Sequence, residues 1–127
     1  MTERAVVPLD DDATAAYAHL FQGLADPTRL AVLQHLASGE HRVRDLVAHL
    51  GYAQSTVSQH LGFLARCRLV TVRTEGRSSW YALADPDRLR ALVAAAEDLL
   101  DAAGTRAVLC EHLRAPQEAA HDPAGPR

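Results

Sequence analysis

A mainly α-helical domain carrying one β-hairpin is the fold class this sequence predicts, and three observations support it. Apolar residues recur at three- and four-residue steps in five separate stretches, the mark of helices that bury one face. Two β-prone runs, residues 69–73 (LVTVR) and 78–83 (SSWYAL), flank Thr74-Glu75-Gly76-Arg77, where Gly76 supplies the turn. The pairs Asp26-Pro27 and Asp85-Pro86 mark helix starts, because a carboxylate caps free N–H groups and proline loses nothing at the first helical position.

The elements follow in order. Residues 1–12 are polar, hold Pro8 and end in the acids Asp10, Asp11 and Asp12, so they read as a flexible arm. A first helix is expected over 12–22, with Ala15, Tyr17, Leu20 and Phe21 facing inward. A second begins after Asp26, buries Leu30, Leu33 and Leu36, and is closed by Gly39. A short third helix runs over 43–50 to Gly51. The fourth, 54–70 (QSTVSQHLGFLARCRLV), has an apolar stripe of Val57, Leu61, Leu64 and Cys67. Gln54, Ser55, Thr56, Ser58, Gln59 and His60 crowd its start and opposite side. Two short helices joined by a tight glycine-containing link, the second polar at its start, make a helix-turn-helix, and a hairpin directly after it is a wing. The fifth helix, to about residue 103, repeats Leu89, Leu92, Val93, Ala96, Leu99 and Leu100 at helical spacing before Gly104. The predicted organisation is therefore an arm (1–12), a winged helix-turn-helix domain (13–103), and a C-terminal tail (104–127). The tail is Pro- and Ala-rich and expected to be disordered from residue 115.

At 127 residues and 48% hydrophobic, the chain suits one domain with its own core. The net charge of −3 seems to disfavour a nucleic-acid partner, but its distribution does not. Between residues 42 and 77, six arginines (Arg42, Arg44, Arg66, Arg68, Arg73, Arg77) stand against Asp45 and Glu75 alone, and attraction to phosphate depends on the local face. A hydroxyl- and amide-rich helix start suits entry into a major groove, since N–H groups and hydroxyls hold phosphates while Gln and His reach base edges. Arg73 and Arg77 would then touch backbone or minor groove from the wing. No Gly-rich phosphate loop, matched nucleophile and base, or HExxH helix is present, so an enzyme is not expected. No N-terminal secretory signal and no spanning run is visible, and a cytoplasmic location is expected.

In order and spacing, GLADPTRLAVLQHL, QSTVSQHLGFLARCRLV and TEGRSSWYALAD resemble the ArsR/SmtB family of winged-helix repressors, over roughly residues 15–103. The resemblance implies a homodimer joined by its first and last helices and bound to an inverted repeat, with half-sites about 34–36 Å apart. It places DNA recognition on Ser55, Thr56, Ser58, Gln59 and His60.

The resemblance also implies release of DNA on binding a metal ion, through ligands that differ between branches of the family. The thiolate pair on the first helix of the helix-turn-helix is absent, because the matching run is Arg42-Val43-Arg44-Asp45-Leu46. The last-helix set corresponds to Asp85, Asp87, Asp98 and Asp101, an all-carboxylate set suited to hard cations. The branch sensing cadmium and lead draws cysteines from the recognition helix and the tail. Cys67 matches one, Cys110 lies near the other, Phe63 replaces a third, and His112 in Cys110-Glu111-His112 offers a substitute ligand. Nickel-type sensors recruit terminal histidines, for which His19, His112 and His121 are candidates. His35, His41 and His49 lack a ligand partner at helical spacing, and His35 and His49 read as surface or core-edge residues. The implied cofactor is a soft or transition ion (Cd, Pb, Zn or Ni). The alternatives are a Cys67/Cys110 redox pair with no metal, or a regulator that depends on an accessory protein.

Overall fold

The computed structural model describes residues 10–114. The expectations for residues 1–9 and 115–127, including His121, lie outside the described residues. Helix α1 (Asp11–Leu24) begins earlier than its apolar pattern predicts. Asp10 caps it, accepting from the backbone N–H of Asp12 and Ala13 at 3.0 and 3.1 Å, and Asp11 and Asp12 sit in the first turn, where carboxylates suit the helix dipole. The acidic triplet thus starts the helix and is no part of an arm. Helix α2 (Pro27–Leu36) starts as predicted, with Asp26 accepting from the Arg29 N–H at 3.0 Å.

A short strand β1 (His41–Arg42) follows, unforeseen from sequence because two residues carry no period. Helix α3 (Val43–Leu50) is held at its start by Asp45, whose carboxylate accepts from the Arg42 N–H at 2.9 Å and from its guanidinium at 3.1 and 3.2 Å. Gly51, at φ 79°, ends it in the left-handed region that glycine adopts without strain. Helix α4 (Gln54–Arg66) is shorter than the predicted 54–70. It stops at Cys67, Arg68 turns the chain at φ 65°, and the last apolar residues pass to the sheet. Strands β2 (Val70–Glu75) and β3 (Ser78–Leu83) pair antiparallel about Gly76, and β1 adds to β3 to give the order β1-β3-β2. Trp80 on the central strand stands opposite both Arg42 and Arg73, whose guanidinium carbons lie 4.9 and 5.6 Å from its ring.

Helix α5 (Pro86–Ala102) begins at Asp85 and ends as predicted before Gly104. The next segment does not leave the domain. Leu113, in a single 3-10 turn (Glu111–Leu113), is buried in the same core, and Arg90 Nε donates to the His112 carbonyl at 2.8 Å. Arg114 pairs with Glu97 at 3.2 Å.

Val32, Leu33 and Leu36 of α2, Leu46 of α3, and Val57, Leu61 and Leu64 of α4 fill the core, closed by Val70, Leu83 and Leu89. Each such side chain contributes roughly 1.5–3 kcal/mol by leaving water. The inward reading of α1 is corrected: Tyr17 and Phe21 are 64% and 51% exposed in the single chain. On α5 only Leu89 is buried, and Leu99 and Leu100 stand exposed.

Candidate nucleic-acid interface

The core fixes how α4 is presented. Val57, Leu61 and Leu64 are fully buried, so the helix cannot rotate without exposing all three. Gln54, Ser55, Ser58 and Gln59 consequently face solvent, with Thr56 half-buried. Ala53 stands at the N-cap, and no side chain bonds the first turn. Its N–H groups remain available to an anion, reinforced by the positive end of the helix dipole.

His60 lies differently. Its Nδ1 is 3.2 Å from Arg29 Nη1 and its Nε2 is 3.8 Å from the Asp26 carboxylate. Arginine only donates, so Nδ1 accepts and the proton sits on Nε2, facing Asp26. Within one chain the ring therefore braces α4 against the start of α2. Arg29 is the centre of this brace, and sequence reasoning missed it as anything beyond a helix residue. Its Nη2 and Nε donate to the Gln22 and Gly23 carbonyls at the end of α1 (2.6 and 3.2 Å), and its guanidinium covers the Phe63 ring at 4.4 Å. One side chain thus joins α1, α2 and α4. The Arg29 N–H bond is also the first cause holding the Asp26 carboxyl below its ordinary value. A groove of about 460 Å³ runs along this side of α4, lined by Ser58, Gln59, His60, Phe63, Arg29 and Arg66.

The two wing arginines separate. Arg73 is held by Glu40 (2.8 and 2.9 Å) and Glu75 (2.9 Å), which keep its guanidinium charged and neutralise its field. Arg77 stands exposed beside the turn, with no ion-pair partner among the described residues.

The metal sets predicted from sequence are not gathered within one chain. Cys67 Sγ lies 3.6 Å from both His19 Nε2 and the His19 carbonyl, and burial pushes its thiol above the ordinary value against the pull of Arg29 and Arg66. Cys110 belongs to α2 instead: its N–H donates to Gln34 Oε1 at 2.9 Å and its thiol points at the Gln34 carbonyl at 3.8 Å. Both cysteines are free thiols, and His112 is exposed between Glu111 and the buried Leu113. Asp85 caps α5 through the Arg88 N–H and pairs with the Arg88 guanidinium, Asp87 pairs with Arg90, and Asp98 and Asp101 are exposed.

Among the described residues, one group of three metal-competent side chains does converge: His35, His41 and His49, each with a ligand nitrogen within 4.8 Å of the others. They have no ligand partner at helical spacing, as expected, but meet in space. Helical spacing within one segment could not find them, because they come from α2, β1 and α3. The His35 imidazole is held below its ordinary pKa by burial first, then by its two neighbours.

Comparison with known proteins supplies the frame for this geometry. The family model described as "Bacterial regulatory protein, arsR family" matches residues 26–72. Over 78 residues the chain is 47% identical to the HTH-type transcriptional regulator CmtR of Mycobacterium tuberculosis, covering 61% of this chain and 66% of that protein. Over 69 residues it is 42% identical to the Streptomyces lividans protein named "Probable mercury resistance operon repressor", covering 54% of this chain and 55% of that one. The match therefore spans just under two thirds of the first relative and little over half of the second. The solution structure of a homodimeric winged helix-turn-helix DNA-binding domain from Mycobacterium bovis superposes with a TM-score of 0.65 at 31% identity, over 76% of this chain and 91% of that one. No helix among the described residues is long and apolar enough to cross a membrane.

Proposed function

The chain belongs to the arsR family of bacterial regulatory proteins, and on that premise we propose that it is a cytoplasmic, sequence-specific DNA-binding regulator acting as a homodimer. The observation that carries the reading is the presentation of α4. Its apolar face is locked in the core, its polar face is exposed, and its first turn is left without a side-chain cap.

In this reading the free N–H groups of α4, with Ser55 and Thr56, hold a phosphate and set the register of the helix. Gln54 and Ser58 flank the contact, and Gln59 reads a base edge, most favourably the paired donor and acceptor of adenine. His60 positions α4 through Asp26 and Arg29. Arg77 reaches phosphate from the wing tip, and Arg73 stiffens the strand behind it through Glu40, Glu75 and Trp80.

Dimerisation supplies the second reading head. Tyr17 and Phe21 on α1 and Leu99 and Leu100 on α5 are large apolar groups exposed in the single chain. An apolar groove of about 240 Å³ runs along α5, lined by Leu92, Val93, Ala96 and Leu100, with Leu24 from the end of α1 and Leu30 of α2. Apolar surface of this kind is what a partner copy covers.

The effector in this reading is a metal ion that lowers DNA affinity, as similarity to a protein named for mercury resistance supports. An ion held by Cys67 and the Cys110–His112 segment would draw on residues that one chain keeps on different elements. It would stabilise one arrangement of α4 and the returning C-terminal segment over the other. Fluorescence anisotropy on promoter DNA tests the proposal. Affinity should fall steeply with salt, with a log–log slope of several units for about 6–10 phosphates contacted by a dimer. Added Cd(II), Zn(II) or Hg(II) should release the DNA. A duplex that binds weakly and without salt dependence would leave only a protein-interaction module.

A further inference from the structure

His35, His41 and His49 reach one corner of the fold from three elements. His35 lies in the last turn of α2, His41 opens β1, and His49 lies in the last turn of α3. Their ring centroids are 4.6–5.9 Å apart, and the nitrogens that could face a common ion fall within 4.8 Å of one another. Three imidazoles brought together from separate elements, two of them half-buried, form a different feature from a solvated charge cluster.

Hydrogen bonding decides which nitrogens are free. His41 Nδ1 stands 2.8 Å from the Gly39 carbonyl, which only accepts, so Nδ1 carries the proton and Nε2 keeps its lone pair. Support of one ring nitrogen by a backbone carbonyl is the usual outer contact of a metal-binding histidine. His35 Nε2 and His49 Nδ1 face each other at 2.9 Å, sharing one proton between two ring nitrogens. An ion entering there requires the donor ring to move that proton to its other nitrogen. Both rings then present lone pairs as neutral ligands, and no net proton is released.

We propose that His35, His41 and His49 form a site for a divalent transition ion of the zinc, cobalt or nickel class, with water at a fourth position on the exposed His49 side. Three neutral nitrogens and no thiolate suit these borderline ions better than calcium or magnesium. Metal–nitrogen bonds of about 2.0–2.1 Å place tetrahedral ligand atoms about 3.3 Å apart. Binding therefore requires the 2.9 Å contact to open by a few tenths of an ångström and the wider separations, up to 4.8 Å, to close. The site is separate from Cys67, Cys110 and the α5 aspartates.

An ion at this corner ties the end of α2 to α3, the helix that packs on α4, and to β1, which pairs with the central wing strand at His41↔Tyr81. Only that regulatory consequence rests on the DNA-binding reading; metal uptake does not.

Titration of the full chain with Co(II), followed by visible absorption, tests the site. In a Cys67→Ser, Cys110→Ser double variant, which removes the thiols of the other proposed site, ligand-field bands of a tetrahedral nitrogen-rich complex should grow to one equivalent per chain. The same bands should appear in the wild-type chain. His49→Asn, at an exposed position, should weaken binding by more than the roughly 10–100-fold that loss of an outer hydrogen bond costs. Circular dichroism of metal-free His49→Asn should match wild type. Absence of uptake, or bands that survive His49→Asn and vanish in the cysteine variant, would overturn the proposal. DNA binding that fails while these bands remain would count against the regulatory reading alone.

Discussion

Gln59 and Arg77 are both exposed, polar and close to the proposed DNA face, yet they should fail in different ways. Gln59 lies on the solvent side of a helix whose other side is fully buried, so the helix presents it outward. Gln59→Ala should cost about 1–3 kcal/mol on operator DNA and almost nothing on random duplex, read by competition anisotropy. Arg77→Ala should instead weaken binding on every sequence and reduce the salt slope of the dimer by about 2, one phosphate per protomer, because a phosphate contact carries charge and no sequence information. An unchanged slope would assign Arg77 to solvent. Arg73, by contrast, is already neutralised by Glu40 and Glu75, so charge alone misidentifies which wing arginine is free.

At the scale of elements, the joints rest on single side chains. Helix α3 is started by Asp45, whose carboxyl the Arg42 side chain, and next its backbone N–H, hold down at about 2. A carboxyl depressed in the folded state stabilises it above the unfolded value of 3.8, and that contribution is lost as pH falls toward about 2. Acid unfolding of Asp45→Asn against wild type should therefore show a stability gap that is constant above about pH 5 and closes toward pH 2. The fit of the end of α1 against the segment just after α4 is steric. A Cβ on Gly23 would stand 2.9 Å from Leu69 Cδ1 and 3.3 Å from Cys67 Sγ. Gly23→Val should cost about 1–3 kcal/mol in urea unfolding by overpacking. Gly62 on α4 meets only the flexible end of Arg66, so Gly62→Ala should be tolerated there.

At the scale of the whole molecule, nothing among the described residues covers the apolar side chains Tyr17 and Phe21 of α1 or Leu99 and Leu100 of α5. Phe21→Glu combined with Leu99→Glu should yield a monomer by sedimentation with near-native circular dichroism, since both side chains are exposed. The same variant should bind an inverted repeat no better than a half-site, because only the dimer joins two copies of α4. A persistent dimer would move the interface elsewhere.

Local chemistry made much of this architecture legible. The Asp-Pro pairs, Gly51, Gly76 and the stripe Val57, Leu61, Leu64 identify helix starts, stops and the hairpin because caps, turns and periodicity act over a few residues. The polar start of α4 was legible for the same reason. Tertiary structure alone decided the rest. Arg68 at a left-handed φ ended α4 early, β1 formed only because β3 was there to pair with it, and the segment through Leu113 folded back onto the core. It turned His60 onto Asp26 and Arg29, placed Cys67 beside His19 and Cys110 beside Gln34, and brought His35, His41 and His49 together. The physical reason is one of range. A cap or a stripe is satisfied by neighbours within a turn or two, whereas a side chain's partner across elements depends on how helices pack, which no single segment specifies.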